Sequence, residues 1–440
     1  MISFALLILI PLSAELAPTT LVPPPFGHTM GYTRATPFEL RLIFGKSISF
    51  QEPQRIICCK LKALDDPETS KDDDELTVYC TNSWANQIVY NKSLKEVSAY
   101  GSFGSSYGEF WWPQGITANP DGDIYVADVE NHRVVYLKNE LDSLKWMDEI
   151  GGFGCDTSEF DNPWDVTLDS KSQIWVVDRG NNRIQVFAPN GGFVREIKGL
   201  NKPTAIAITD KGEHWSYYKD EFLIVIDNFG GRIQKFDLHG LLLARVEAGL
   251  PPLPANCEFS DCAIDYYENI WITDKLNNCL HKFDRFLRFI TKVLPPDGKK
   301  FTSPRGITIW KRYGQVFIVE REAIDYFWIG VDGYIEGCYP SIFNPKEKGV
   351  TIVLYLTEPA HISGKIYNEN NKEIRDFVPL FKGEPREHNI IWDGRDNTGE
   401  IVKPGEYRIE LTIEPTYSSK GYFKKKLEAK VVCEYENQEN

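Results

Sequence analysis

IYVADVENHRVVYL (residues 124–137) and IWVVDRGNNRIQVF (residues 174–187) follow one pattern. In each, an apolar run rich in β-branched and aromatic residues ends on an aspartate. A short polar turn containing asparagine follows, then an arginine and a second β-rich run. This reads as two strands joined by a tight hairpin. Four further segments align with them: TVYCTNSWANQIVY, LIVIDNFGGRIQKF, IWITDKLNNCLHKF and VFIVEREAIDYFWI. Their matched polar positions are Asn82, Asp128, Asp178, Asp227, Asp274 and Glu320, spaced by 46, 50, 49, 47 and 46 residues. A fixed period of this size is the mark of a repeat architecture.

A further short strand precedes each hairpin, usually opened by proline: Pro53, Pro113, Pro163, Pro203 and Pro304, with Phe259 taking that place in the fifth unit. A fourth strand follows, as in LKEVSAY, GFVREIK and FLRFITKV. Four strands per unit of 40–50 residues is the spacing of propeller blades. Six units predict a closed ring with few free sheet edges. The run FELRLIF from Phe38 is expected to be an extra strand that seals the ring against the last blade.

The proline-led strand, the "YVAD" strand and the Asn-His-Arg turn resemble the NHL-repeat family of six-bladed β-propellers, over about residues 30–340. The first and sixth units depart from it, with Gln87 and Asp325 where Arg133, Arg183 and Arg232 stand. The fold class expected is all-β: a six-bladed, NHL-type propeller followed by a smaller sandwich.

That second module begins near Pro345. Residues 346–434 alternate short strands with turn residues, as a β-sandwich does. IIWDGRDNTGEIVKPGEYRIEL, with Trp392, Asp393-Gly394, Asn397, Gly399, Pro404-Gly405 and Tyr407, resembles the Ig-like module of the bacterial flagellar hook-capping protein. The resemblance implies an attachment or spacing unit of an exported bacterial protein. Asp393 and Asp396 are expected to bond turn amides.

Composition narrows the function. The 440 residues carry 11 Trp, 21 Tyr and 25 Phe, which excludes wholesale disorder, and a formal charge of −14, which disfavours a nucleic-acid partner. An apolar run from Ile2 to Leu12, closed by small residues, reads as a secretory signal within residues 1–17. No later run is long enough to span a bilayer. Export to the bacterial envelope, periplasm or exterior, as a monomer, is therefore expected. The run LDDPETSKDDDE (residues 64–75) is a solvated loop. Of the nine cysteines, Cys257-x4-Cys262 with Cys279 and His281 offers thiol and imidazole ligands, but not the paired, tighter Cys turns of zinc sites. Buried thiols or one disulfide are expected, and no metal there.

The pairs Asp128–Arg133, Asp178–Arg183 and Asp227–Arg232 recur once per unit. An enzyme needs one constellation, whereas a ring needs one brace per blade, so these are structural and no catalytic residue is assigned. The second residue after each strand-opening position should face the channel: Arg55, Gly115, Asp165, Ala205, Asp261 and Gly306. Arg55, Asp165 and Asp261 would then form a charged channel network. Calcium held by the two aspartates through water is the alternative.

Loops from each fourth strand to the next blade share one face with the hairpin turns. That face carries Tyr107, Trp111, Trp112, Trp164, Glu130 and Arg179 and is the expected binding surface for a protein, peptide or glycan. Phe103, Phe110, Phe153 and Phe160 are expected to wedge between blades. The function expected is non-enzymatic binding or scaffolding. The alternative is a propeller hydrolase or lyase, lactonase-like or resembling the peptidyl-amidating lyases, with a channel metal. The latter resemblance implies converging histidines, and His132, His214, His239 and His281 are not expected to converge.

Overall fold

The computed structural model describes residues 19–435 except 26, 29, 31–33, 46–47, 65–75, 93–95 and 297–298. The signal-like run and nearly all of the acidic loop lie outside the described residues. Six antiparallel sheets of four or more strands account for the repeats. The second runs Pro113–Ala118, Asp123–Asp128, Arg133–Asn139 and Leu144–Gly151; the third runs Pro163–Leu168, Ile174–Asp178, Arg183–Phe187 and Phe193–Ile197. In chain order, each inner strand lies against the next, and Gly306–Trp310 of the last sheet returns to Pro53–Cys59 of the first.

Burial peaks in the two middle strands of the third blade and is lowest at its outer edge. All five residues of Ile174–Asp178 are buried because this strand is covered on both faces by neighbouring sheets, which explains its unbroken apolar run. Phe193–Ile197, at the outer edge, is mostly open to solvent.

Ring closure is where the structure departs from expectation. Pro37–Phe44 is an α-helix, not a strand. Thr36 caps it, Pro37 opens it, and Glu39 completes a reciprocal capping box, so local chain-end chemistry outweighs the apolar content of FELRLIF. The last sheet is completed instead by Leu21–Val22, paired with Trp328 and Ile329, and Arg34–Ala35, paired with Ile324 and Asp325. Leu21, Val22, Met30 and Ala35 are all buried there.

The chain then forms two facing sheets. One contains Gly333–Tyr339, Val350–Leu356 and Arg386–Trp392; the other contains Ile342–Phe343, Ala360–Asn368, Glu373–Lys382, Gly405–Pro415 and Lys425–Cys433. Alternate residues of Val350–Leu356 and Gly405–Pro415 point into a core centred on Trp392, Ile352, Ile409 and Leu411. Asp393 and Asp396 accept hydrogen bonds from the Arg395 and Thr398 amides. The module starts earlier than a boundary at 340–346 allows, because Gly333–Tyr339 pairs with Val350–Leu356 rather than with the ring.

This sandwich docks on the ring face opposite the hairpin turns. Tyr417 is buried against Tyr267, and the Tyr218 hydroxyl donates to the Gly383 carbonyl at 2.8 Å. Lys282, fully buried over the Trp271 ring, is ion-paired with Glu358 and donates to the Thr357 carbonyl at 3.0 Å.

Arg34 ties the closing strand to Glu320 at 2.5 Å and to Asp325 at 3.1 Å. Arg34→Ala should lower unfolding stability by about 1–3 kcal/mol, below the full cost of stranding a buried charge because Arg34 is part-exposed. Chemical denaturation of wild type and variant measures it.

Candidate functional site

The recurring polar residue at the end of every second strand is a latch. Asp128 accepts the Trp111 amide at 2.7 Å, Asp178 the Asp161 amide at 2.9 Å and Asp227 the Asn201 amide at 3.1 Å. Asp274 accepts from Glu258 at 3.2 Å, Glu320 from Thr302 at 2.8 Å and Asn82 from Gln51 at 2.6 Å. The latch therefore fastens each hairpin to the segment that leads into its own inner strand.

Arginine completes it in three blades. Arg133, Arg183 and Arg232 contact their aspartates at 2.9, 2.7 and 2.6 Å. Arg133 also donates to the Glu109 carbonyl and Arg183 to those of Asp156 and Glu159, so the guanidinium holds the incoming loop as well. In the sixth blade Arg34 supplies this cation from the closing strand. In the first, Asn82 donates to the Ser49 carbonyl, serving as both acceptor and donor.

A second lock joins neighbouring blades. Asn86, His132, Asn182 and Asn278, at the turn ends, accept the amides of Trp112, Asn162, Lys202 and Ser303 at 2.8–3.2 Å. His132 acts here through Nδ1 in the role asparagine plays elsewhere. His214 is exposed beside Trp215, His239 is exposed in a turn, and His281 is buried against Asp274. The four imidazoles thus occupy separate neighbourhoods.

Arg55, Asp165 and Asp261 meet at the hub. Arg55 Nε lies 3.6 Å from Asp165 and 3.4 Å from Asp261, and the guanidinium donates to the Thr204 carbonyl at 2.6 Å and the Arg305 carbonyl at 3.2 Å. One side chain thereby links five blades, its own included. Asp165 accepts the amides of Val166 and Ile206, and Asp261 those of Cys262 and Ile307. Burial raises both carboxyls, Asp261 to about 7, with Asp165 reinforcing the rise and Arg55 opposing it. Glycine makes room: a Cβ on Gly115 would lie 2.4 Å from Asp165 Cα, and one on Gly306 2.6 Å from the Gln54 carbonyl oxygen. From this charged plug a cavity of about 230 Å³ runs along the inner strands to Glu213, Trp215 and Lys311 near the sandwich side.

On the hairpin face, Trp112 meets Trp164 edge-to-face at 5.3 Å, and the Arg179 guanidinium stacks 3.9 Å above Trp164. Phe229 of the next blade lies 5.9 Å from the same guanidinium. Arg179 Nε is buried with no hydrogen-bond partner. Glu130 is half-buried, its amide on the Trp111 carbonyl. Trp111 is exposed, while Tyr107 leans on Trp146 of an outer strand at 5.6 Å.

The four phenylalanines divide. Phe110 and Phe160 are buried between blades, but Phe103 and Phe153 are exposed, contrary to expectation. The loops double back so that Phe103 pairs with Phe110 and Phe153 with Phe160 along the backbone, leaving one ring of each pair outside. Sequence reading also missed the hairpin-tip residues Trp84, Phe229 and Leu276, all exposed. Their common position two residues beyond the latch was the available signal.

All nine cysteines are free. Cys262 sits on the channel strand beside Asp261, apart from the grouping the sequence spacing suggested. Cys257, Asp274 and His281 instead bring ligand atoms within 4.8 Å of one another.

Taken together, these features define a propeller protein carrying NHL repeats. The NHL repeat model matches residues 110–135 and 160–187. Among solved structures, virginiamycin B lyase from Staphylococcus aureus aligns with TM-score 0.42 and 16% identity over 62% of this chain and 87% of its own. A gluconolactonase from Xanthomonas campestris aligns with TM-score 0.45 and 11% identity over 72% and 99%. PorZ, a surface component of the type-IX secretion system of Porphyromonas gingivalis, aligns with TM-score 0.42 and 12% identity over 87% of this chain and 51% of its own. No curated protein matches the chain in sequence.

Gly115→Ala should cost about 3 kcal/mol or more, at the upper end of overpacking, because backbone rather than a flexible side chain blocks the new methyl. Urea unfolding measures it. An unfolded aspartate titrates near ~3.9, so the folded state holds the Asp261 proton more tightly and its contribution to stability declines as pH rises from about 4 to about 7. Asp261→Asn should flatten that part of the stability–pH profile; parallel profiles would refute the assignment.

Proposed function

We propose that the chain is a non-enzymatic binding or scaffold protein whose hairpin face holds a protein, peptide or glycan partner. The observation that carries this reading is the cross-blade array of Trp112, Trp164, Arg179 and Phe229, flanked by exposed Trp84, Trp111 and Leu276. Exposed Phe229 beside a cation stacked on a half-buried indole suits a partner that brings apolar area and a carboxylate. Phe229 supports it further, being a bulky residue held at φ 56° on a hairpin tip, a conformation disfavoured without compensation.

The C-terminal sandwich occupies the opposite face, so it can space or attach the ring without covering the array. Its resemblance to the Ig-like module of the flagellar hook-capping protein supports that role. Export rests on the apolar run at residues 2–12. Among the described residues, no helix is long and apolar enough to cross a membrane.

The lyase or hydrolase reading draws its support from the channel carboxylates. Their oxygens already accept four backbone amides and face Arg55, which favours architecture.

Arg179→Ala/Phe229→Ala should weaken binding about tenfold or more on panels of acidic peptides and uronic-acid oligosaccharides while leaving the thermal midpoint nearly unchanged. Equal binding by wild type and variant, or lactone turnover that depends on Asp165, would overturn the proposal.

A further inference from the structure

Blade five breaks the repeat in a chemically coherent way. Blades three and four carry Asp-x4-Arg-x-Gln, in which Arg183 and Gln185 converge on Asp178 and Arg232 and Gln234 converge on Asp227. Blade five places Cys279 where the arginine stands and His281 where the glutamine stands. Asp274 keeps its latch to the Glu258 amide, and Asn277 still donates to it at 2.7 Å, as Asn131 and Asn181 do to their aspartates at 2.8 and 2.9 Å. The cation slot is thus preserved, and the guanidinium that fills it elsewhere has been replaced by metal-ligating atoms.

Three of these ligand atoms, from Cys257, Asp274 and His281, lie within 4.8 Å of one another, and Cys279 adjoins the group through His281. His281 Nε2 lies 3.0 Å from Asp274 and 3.7 Å from Cys279 Sγ. Cys257, on the loop leading into the same blade, brings Sγ within 4.8 Å of the Asp274 and His281 ligand atoms. Asp274, Cys279 and His281 are buried and Cys257 is half-buried. With metal–sulfur near ~2.3 Å and metal–nitrogen near ~2.0–2.1 Å, a tetrahedral sulfur–nitrogen edge is about 3.6 Å. The Cys279–His281 pair already has that length.

We infer that blade five binds one thiophilic divalent cation of the zinc class through Cys257, Asp274, Cys279 and His281, in place of the arginine that braces blades two to four. Two thiols, one imidazole and one carboxylate suit a closed, structural tetrahedral site. Binding releases the two thiol protons to solvent, and the metal takes over the brace between hairpin and incoming loop.

The test uses full-length, reduced, chelator-stripped protein titrated with cobalt and then zinc. One equivalent of cobalt should produce a thiolate-to-metal charge-transfer band and tetrahedral visible bands, and one equivalent of zinc should bleach them. Cys279→Arg/His281→Gln rebuilds the brace of blades three and four. It should fold with a thermal midpoint at or above that of stripped wild type, show no such bands, and gain nothing from zinc. Cys262→Ser should keep the full signal. No charge-transfer band in reduced wild type, an undiminished band in the double variant, or a Cys257–Cys279 disulfide in unreduced protein would overturn the assignment.

Discussion

A buried acceptor at the end of each second strand, bonded to the amide that leads into the inner strand, is the contact on which this ring depends. A propeller blade is a strongly twisted sheet whose loops would otherwise be free to swing, and buried amides must find acceptors. One carboxylate meets both needs: it satisfies the amide and fixes the angle at which the chain enters the hub. Because the acceptor is buried, its charge must be balanced, and the blades do so in different ways. Three use arginine, one borrows Arg34 from the chain terminus, and one substitutes a neutral amide, Asn82. Blade five alone presents thiols and imidazole. Variation at the fifth position beyond the acceptor is therefore variation in how one buried charge is met.

The hub and the hairpin face divide the work. At the hub, Arg55 draws Asp165 and Asp261 together with carbonyls from two further blades, and glycines at positions 115 and 306 admit their backbones. Each of the two carboxylates accepts two backbone amides besides facing Arg55. On the hairpin face the chain leaves large apolar side chains uncovered, and it stacks a guanidinium on an indole with one nitrogen unpartnered.

The sandwich is fixed to the ring by contacts of a different kind. Lys282 is enclosed by Trp271, Asp265, Glu358 and the Thr357 carbonyl, and burial lowers its ammonium to about 7, with Asp265 opposing. A buried amine with carboxylates from both modules specifies how they dock more than how strongly, since removing charge from water is itself costly. With Tyr417 seated against Tyr267, the two modules share core, and the hairpin face points away from the C-terminal sandwich.

The blades were legible because their information is local: latch, turn and hairpin arginine lie within six residues, and strand, turn and strand recur at a constant interval. The same locality makes the Asp–Arg pairs recognisable as braces and aligns Arg55, Asp165 and Asp261 on one side of their strands. What sequence did not reveal depends on contacts between distant parts of the chain. Arg34 meets Glu320 across 286 residues, so the closing strand could not be found by pattern, and the capping box at Thr36 and Glu39 was hidden beneath an apolar run. Phe103 and Phe110 have similar surroundings in sequence yet opposite fates, because the loop's fold decides which ring turns inward. Cys257, Cys279 and His281 of blade five were visible in sequence, but only the folded loop sets Cys257 and His281 beside Asp274. Periodic hydrogen bonding wrote the repeat into the chain; closure, exposure and that grouping were decided by packing in three dimensions.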